Sequence, residues 1–251
     1  MAFRTTTDID SVGYMPKNFS VTDLPLVDGH TLLYLHMDGE NNSQAFFDSS
    51  MFNRAITAHN SAKISTAQSK FGQSGLFNGT TDYLTVPDDD VFAFGTNTFT
   101  IETFFRYNDK TGSQMIWGQR QQDVGAVEFF VDPGNNRIRL SVMNSWPTSA
   151  IGFQCPFTAD NDTWYHLALV RVNADDAATA WRIFLNGVSQ ELTLNAGDWN
   201  APIGNFAGTL AIGRNGDFSS TYFNGYLDEY RISSVARYTS NFTVPTRPYA
   251  R

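Results

Sequence analysis

Apolar and polar side chains alternate residue by residue over most of this 251-residue chain, in runs too short for helices and in phase with a strand. Along Thr98-Phe-Thr-Ile-Glu-Thr-Phe-Phe-Arg-Tyr107 the alternation places Phe99, Ile101 and Thr103 on one face and Thr100, Glu102 and Phe104 on the other. The same pattern predicts strands over 30–37, 75–78, 83–86, 114–120, 126–132, 137–143, 163–172, 180–185, 188–194, 207–213 and 222–233. Pro133-Gly-Asn-Asn136 and Asn186-Gly187 are hairpin turns, the second because Asn and Gly accept the positive φ of a two-residue connection. Helical spacing is confined to 173–180, which forms either one short turn or a loop. About a dozen strands, with 19 glycines spread through the turns, predict an all-β, two-sheet antiparallel sandwich.

The ends do not follow this pattern. Residues 1–28 carry Pro16 and Pro25 and no period, yet Phe3, Tyr14, Met15, Phe19 and Leu24 would give such an arm apolar contacts, with Arg4 as a charged one. The arm is expected either to dock on a neighbouring subunit or to lie on its own domain. Phe242, Val244, Pro245, Pro248 and Tyr249 raise the same choice at the other end, where packing back on the sandwich is the expectation. A net charge of −8 argues against nucleic acid, whose binding needs Lys and Arg on phosphates. No run of about 20 apolar residues is present to span a membrane, and the single Cys155 forms no intrachain disulfide. Met1–Asp10 lacks the basic and apolar regions of an export signal, so the chain is expected to be made and kept inside a cell or to leave by a route other than secretion.

Three segments together resemble the laminin-G-like branch of the concanavalin A-like jelly rolls. They are 65–87, ending Phe77-Asn-Gly-Thr-Thr-Asp-Tyr-Leu-Thr-Val-Pro87; 163–187, with Trp164-Tyr-His-Leu-Ala-Leu-Val and Trp181-Arg-Ile-Phe-Leu-Asn-Gly187; and 210–232, with Phe223-Asn-Gly-Tyr-Leu-Asp-Glu-Tyr-Arg-Ile232. The resemblance implies a jelly roll over residues 29–245, an N-terminal arm at 1–28 and a tail at 246–251. In that fold Trp164, Leu167, Leu169 and Trp181 would point into the core. Many similar domains belong to tailed-phage virion proteins. The resemblance therefore implies a non-enzymatic head-decoration or tail component, assembled in the host cytoplasm, with other virion proteins or a symmetric oligomer as partners. The alternative it leaves open is a glycan- or receptor-binding adhesion module of the particle, and a third is a glycoside hydrolase.

Candidate chemistry divides along the same lines. The glucanase branch places paired glutamates on one strand, whereas none of Glu40, Glu102, Glu128, Glu191 and Glu229 is followed two residues on by Asp. Cys155 is expected as a small buried apolar residue and His166 as a satisfied strand histidine. The resemblance implies one structural calcium ion held by Asp38, a carbonyl at Asn78 or Gly79, and Asp228; otherwise Asp38-Gly39 is a turn and Asp228 pairs with Arg231 or Arg214. Loop aromatics beside polar residues suit sugar faces or protein hot spots. These are Trp146, Trp199 and the cluster Arg214, Asp217 and Tyr222.

Overall fold

The computed structural model describes residues 28–109, 111–145, 148–173, 179–216 and 221–249. The arm residues Phe3, Arg4, Tyr14, Met15, Phe19 and Leu24, the loop residues Trp146 and Asp217, and most of 173–180 lie outside that set. Among the described residues sixteen strands, numbered in chain order, form two antiparallel sheets of eight. Sheet I holds β1 (Thr31–Leu35), β3 (Lys63–Ser65), β4 (Ser74–Asn78), β6 (Phe99–Tyr107), β11 (Trp164–Arg171), β12 (Trp181–Leu185), β13 (Val188–Ser189) and β16 (Asn224–Ser233). Sheet II holds β2 (Thr57–His59), β5 (Tyr83–Val86), β7 (Gln114–Gln121), β8 (Gly125–Asp132), β9 (Arg137–Met143), β10 (Ile151–Pro156), β14 (Thr193–Gly197) and β15 (Leu210–Ile212). No helix among the described residues is long and apolar enough to cross a membrane.

The expected alternation builds the core. Phe99, Ile101 and Phe105 of β6 and Leu167 and Leu169 of β11 face Val127, Phe129 and Val131 of β8 and Ile138, Leu140 and Val142 of β9, all fully buried. Trp181 joins them, as expected, with its indole edge-on to Phe99. Trp164 does not. It shares parity with His166 and Ala168, so it packs on the opposite face of sheet I, against the Tyr34–Phe104–Tyr249 cluster. Cys155 is buried as a small apolar residue, and burial pushes its thiol up to about 12.

Two connections differ from the periodic reading. Asn186 and Gly187, at φ 49° and 78°, do turn β12 into the next strand. That strand ends after Ser189, and the chain resumes at Thr193 in sheet II, paired with β10. The span 188–194 is therefore a crossing between layers, although its pattern looks continuous. The second difference is a β-bulge in β16, where Asp228 opposes Phe104 and Arg231 opposes Glu102, leaving one extra residue. Glu229 takes φ 51° there, and the bulge turns both Asp228 and Glu229 toward the outside of sheet I.

Candidate functional site

Each sheet has an outer face, and polar side chains converge on both. On sheet I the centre is Glu102. Arg231 donates to its Oε1 from Nε at 2.9 Å and from Nη2 at 2.7 Å, and the Tyr238 hydroxyl donates to Oε2 at 2.8 Å. His166 Nε2 lies 3.4 Å from the same Oε2 and 2.7 Å from the Tyr249 hydroxyl. Glu102 is fully buried, yet Arg231 and His166 outweigh that burial and hold its carboxyl down at about 2. Beside it, Glu229 accepts from the Tyr34 hydroxyl and from the Tyr249 amide at 2.8 Å, and pairs with His36 Nδ1 at 2.8 Å.

Much of this face is roofed by the chain's own C-terminal segment. Tyr238 and Phe242 stack at 3.6 Å over Ala168, Val170 and Phe184, and Tyr249 lies under the Arg231 guanidinium at 3.9 Å. The packing-back expectation for Phe242, Val244 and Tyr249 therefore holds, and Arg237 pairs with Asp28 of its own chain. A cleft of about 590 Å³ remains between the tail and the sheet, but the arginines it exposes from the body, Arg231 and Arg237, are both already paired.

Sheet II is organised differently. Glu128, Ser141 and Gly152 are cross-strand neighbours on β8, β9 and β10, and Gly118 of β7 faces Glu128 from the other side. This row has small residues at three of four positions, so it forms a trough floor with a single carboxylate. The 214–216 turn lies directly on Gly118: a Cβ there would stand 2.6 Å from the Arg214 carbonyl and 2.7 Å from the Gly216 amide. That close approach brings Asn215 to the Glu128 carboxylate, whose pKa is raised by burial despite the Asn215 hydrogen bond and the nearby Arg139 and Arg120.

One register step along, Arg139 stands between Phe130 and Gln154. Its neighbour Arg137 is spent on Asp132, at 2.9 Å, and on Gln154, at 3.1 Å. The Arg139 side chain makes no hydrogen bond or ion pair among the described residues, although Glu128 and Asp132 lie near its charge, and its Nε is buried without a partner. The Asn215 Oδ1 is likewise buried and unpartnered. At the β5 edge, Tyr83 carries His59 stacked at 4.1 Å and the Arg214 guanidinium at 3.8 Å, with Tyr222 tilted at 6.4 Å. Two groups so close to one ring must occupy its two faces.

Of the expected ligand residues, Arg214 and Tyr222 thus meet at Tyr83, on the rim of the trough. Trp199 is turned inward: its ring lies 5.2 Å from Phe153 and its carbonyl accepts the Trp181 indole N–H at 3.0 Å. It packs partly buried against the core, with its neighbours Asp198 and Asn200 exposed. Two of the glutamates considered for hydrolysis, Glu102 and Glu128, sit on the outer faces of different sheets and cannot flank one bond.

The expected calcium ligands come together only in part. Asp228 Oδ2 accepts the Lys70 and Phe71 amides at 2.9 Å, and Asp38 Oδ1 accepts the Gln73 amide at 2.8 Å, so both carboxylates grip the 70–73 segment. Asp228 pairs with neither Arg231 nor Arg214. Its Oδ1 is buried without a partner, and burial, with Glu229 and Asp38 nearby, pushes the carboxyl up to about 8. Those two residues suit a hard cation. Gly79 does not join them: it follows Asn78, which pairs with Asn224, four positions from Asp228 and roughly 13 Å away at about 3.3 Å per residue. Among the described residues no three His, Cys, Asp or Glu side chains are grouped to hold a metal ion.

Two facing antiparallel sheets of eight strands, with the last strand central in one of them, define an all-β sandwich of concanavalin A-like type. Residues 78–240 match the family model of the concanavalin A-like lectin/glucanases superfamily, and the chain belongs to that family. Among solved structures, the one described as "Cell entry of botulinum neurotoxin type C is dependent upon interaction with two ganglioside molecules" is similar at TM-score 0.60 and 13% identity, covering 85% of this chain and 50% of that one. The botulinum neurotoxin serotype D binding domain is similar at TM-score 0.59 and 11% identity, covering 84% and 49%. This chain spans about half the length of those toxin chains. Domain 4 of AbnA, an extracellular arabinanase from Geobacillus stearothermophilus solved with arabinotriose, is similar at TM-score 0.59 and 18% identity over 84% of this chain and 95% of that one. At these identities the likeness concerns the fold, and none of the three is a phage protein. No curated protein matches the chain.

Proposed function

We propose that this chain is a non-enzymatic glycan- or receptor-binding module that holds a saccharide on the outer face of sheet II. The observation that carries this reading is the unspent hydrogen-bonding capacity there. Arg139 Nε and Asn215 Oδ1 are withdrawn from water without partners, beside a floor of Gly118, Ser141 and Gly152. Such groups cost free energy until a ligand meets them, and a polyhydroxyl ring supplies both donors and acceptors. The arabinotriose bound by the arabinanase domain and the gangliosides named for the toxin support the same class of ligand.

The structural role in a tailed-phage particle rests on the sequence resemblance and on the arm, which lies outside the described residues. A receptor-binding part of such a particle would satisfy both readings. We also propose a structural calcium ion at Asp228 and Asp38, its remaining ligands being backbone carbonyls and water. A chelator should then lower the melting temperature of the parent but leave that of Asp228→Asn unchanged.

The deciding experiment for the main reading is an immobilised-glycan array probed with the full chain. Binding to at least one glycan, lost in Asn215→Ala with the melting temperature kept, is the expected result. An array on which the parent binds nothing would remove the proposal.

A further inference from the structure

Five large apolar side chains are exposed among the described residues, and three of them fall within six positions of one another. Phe47, Met51 and Phe52, 67%, 62% and 42% exposed, lie on the loop that joins β1 to β2, whereas Val124 and Val188 stand apart. The loop is pinned. Asp48, itself buried, accepts the Tyr34 and Ser50 amides on Oδ1 at 2.9 Å, and on Oδ2 the Ser50 hydroxyl at 2.7 Å and the Arg54 amide at 2.8 Å. The Ser49 amide donates to the Tyr34 carbonyl at 2.7 Å, and Arg54 donates to the Leu32 carbonyl at 2.6 Å and to Asp89 at 2.9 Å. The Arg54 guanidinium also lies 4.3 Å from the Phe52 ring and 5.1 Å from that of the core residue Phe92. The three side chains are therefore held out by a built scaffold, along the edge of β1 away from β16, and their contact with water costs about 25 cal/mol per Å².

The size and position of the patch decide what suits it. Taking about 200 Å² for a whole large apolar residue, it offers on the order of 350 Å². A stable pair of separate proteins buries about 800 Å² on each side, so the patch is too small to hold a second copy by itself. A segment tethered nearby loses far less freedom on docking and needs less area. Residues 1–27, outside the described set, are such a segment, and they carry Tyr14, Met15, Phe19, Leu24, Leu26 and Val27. They join the body at Asp28, whose carbonyl accepts the Thr31 amide at 2.9 Å. The next residue of β1, Leu32, is the one that Arg54 grips. At about 3.3 Å per residue, Leu24 can reach about 13 Å from Asp28, and Phe19 about 30 Å. From this placement we propose that the patch is the seat of the chain's own N-terminal segment, with Leu24 and its apolar neighbours on Phe47, Met51 and Phe52. The inference is independent of the glycan-binding reading, and it assigns the arm to its own domain.

The test is disulfide trapping in the full chain, with Asp23→Cys combined with Ser49→Cys or, as the control, with Thr246→Cys. Ser49 lies between the patch residues, and Thr246 is exposed in the cleft that Asp28 also lines, so both partners are close to the tether. The native Cys155 is buried, with its thiol pushed up to about 12, and does not compete. Under mild oxidation the Ser49 pair should close within single chains about tenfold or more faster than the Thr246 pair, at a rate unaffected by dilution. Similar rates for the two pairs, closure mainly at Thr246, or no closure would overturn the proposal. Closure only between chains would also overturn it and assign the patch to a neighbour's arm. A second measurement leaves the segment intact and changes only the patch. Arg4 and Lys17 are the tryptic sites of the segment. Cleavage after Lys17 should speed up about threefold or more in Phe47→Ser combined with Met51→Ser, with the sandwich still folded by near-UV circular dichroism. Cleavage at the parent's rate would count against the seat in the same way.

Discussion

The two outer faces of this sandwich come from the same alternation and end differently. On sheet I most outward polar groups near the centre have partners, many of them from the chain's own tail: Tyr238 on Glu102, Tyr249 on His166 and on Glu229, while His166 Nδ1 and Asp228 Oδ1 stay buried without one. On sheet II the corresponding groups are partly left over, with Arg139 and Asn215 each retaining a buried polar atom that nothing in the described chain satisfies. What separates the two faces is the C-terminal segment that roofs sheet I.

The largest effect should come from breaking the ion pair at the centre of sheet I. Glu102→Gln leaves Arg231 buried without a counter-charge and should cost about 3 kcal/mol in urea unfolding, within the range for one member of a buried pair. A loss below about 1 kcal/mol would mean that the tail, not the pair, holds this face. The acid limb of stability sharpens the same point. The Glu102 carboxyl is lowered from 4.5 to about 2, so as pH falls the unfolded chain takes up the proton first. Its stabilisation should be complete above about pH 4.5 and disappear as the pH falls through about 2, and Glu102→Gln should flatten that limb of a melting-temperature profile.

Tyr249→Phe should have a smaller effect, about 1 kcal/mol. It removes one hydroxyl from His166 while keeping the ring under Arg231 and the amide on Glu229. The smallest change is expected on sheet II. Glu128→Gln should shift stability by less than about 0.5 kcal/mol, or raise it slightly, because burial already disfavours its charge. A loss comparable to that of Glu102→Gln would erase the distinction between the faces.

Much of this was legible in the chain. Alternation along 98–107 assigned Phe99 and Ile101 inward and Glu102 and Phe104 outward, and the structure places them so. The hairpin at 133–136 already implied that Glu128 lies opposite Ser141, and Phe130 opposite Arg139, once its register is counted back from Asp132 and Arg137. That signal was present, whereas the expectation of a site rested on loop aromatics such as Trp199, which packs partly buried against the core. Other features have no local signature. The bulge at Glu229, the crossing between Ser189 and Thr193, and the descent of 214–216 onto Gly118 depend on what lies across the fold, not on neighbouring residues. Trp164 was assigned inward because it is a tryptophan, whereas strand parity, the better guide, sends it out.

The position of β16 has a consequence for how the molecule is made. It is the last strand in sequence, and it lies between β6 on one side and β4 and β1 on the other. Until residues 224–233 have left the ribosome, sheet I is three unjoined pieces (β1, β3–β4, and β6 with β11–β13), and Glu102 lacks Arg231. Closure of sheet I must therefore wait for residues 224–233, as expected where pairing is long-range. A ribosome that stalls or terminates before Asn224 would release exposed strand edges for chaperones or proteases to clear, not a smaller working domain.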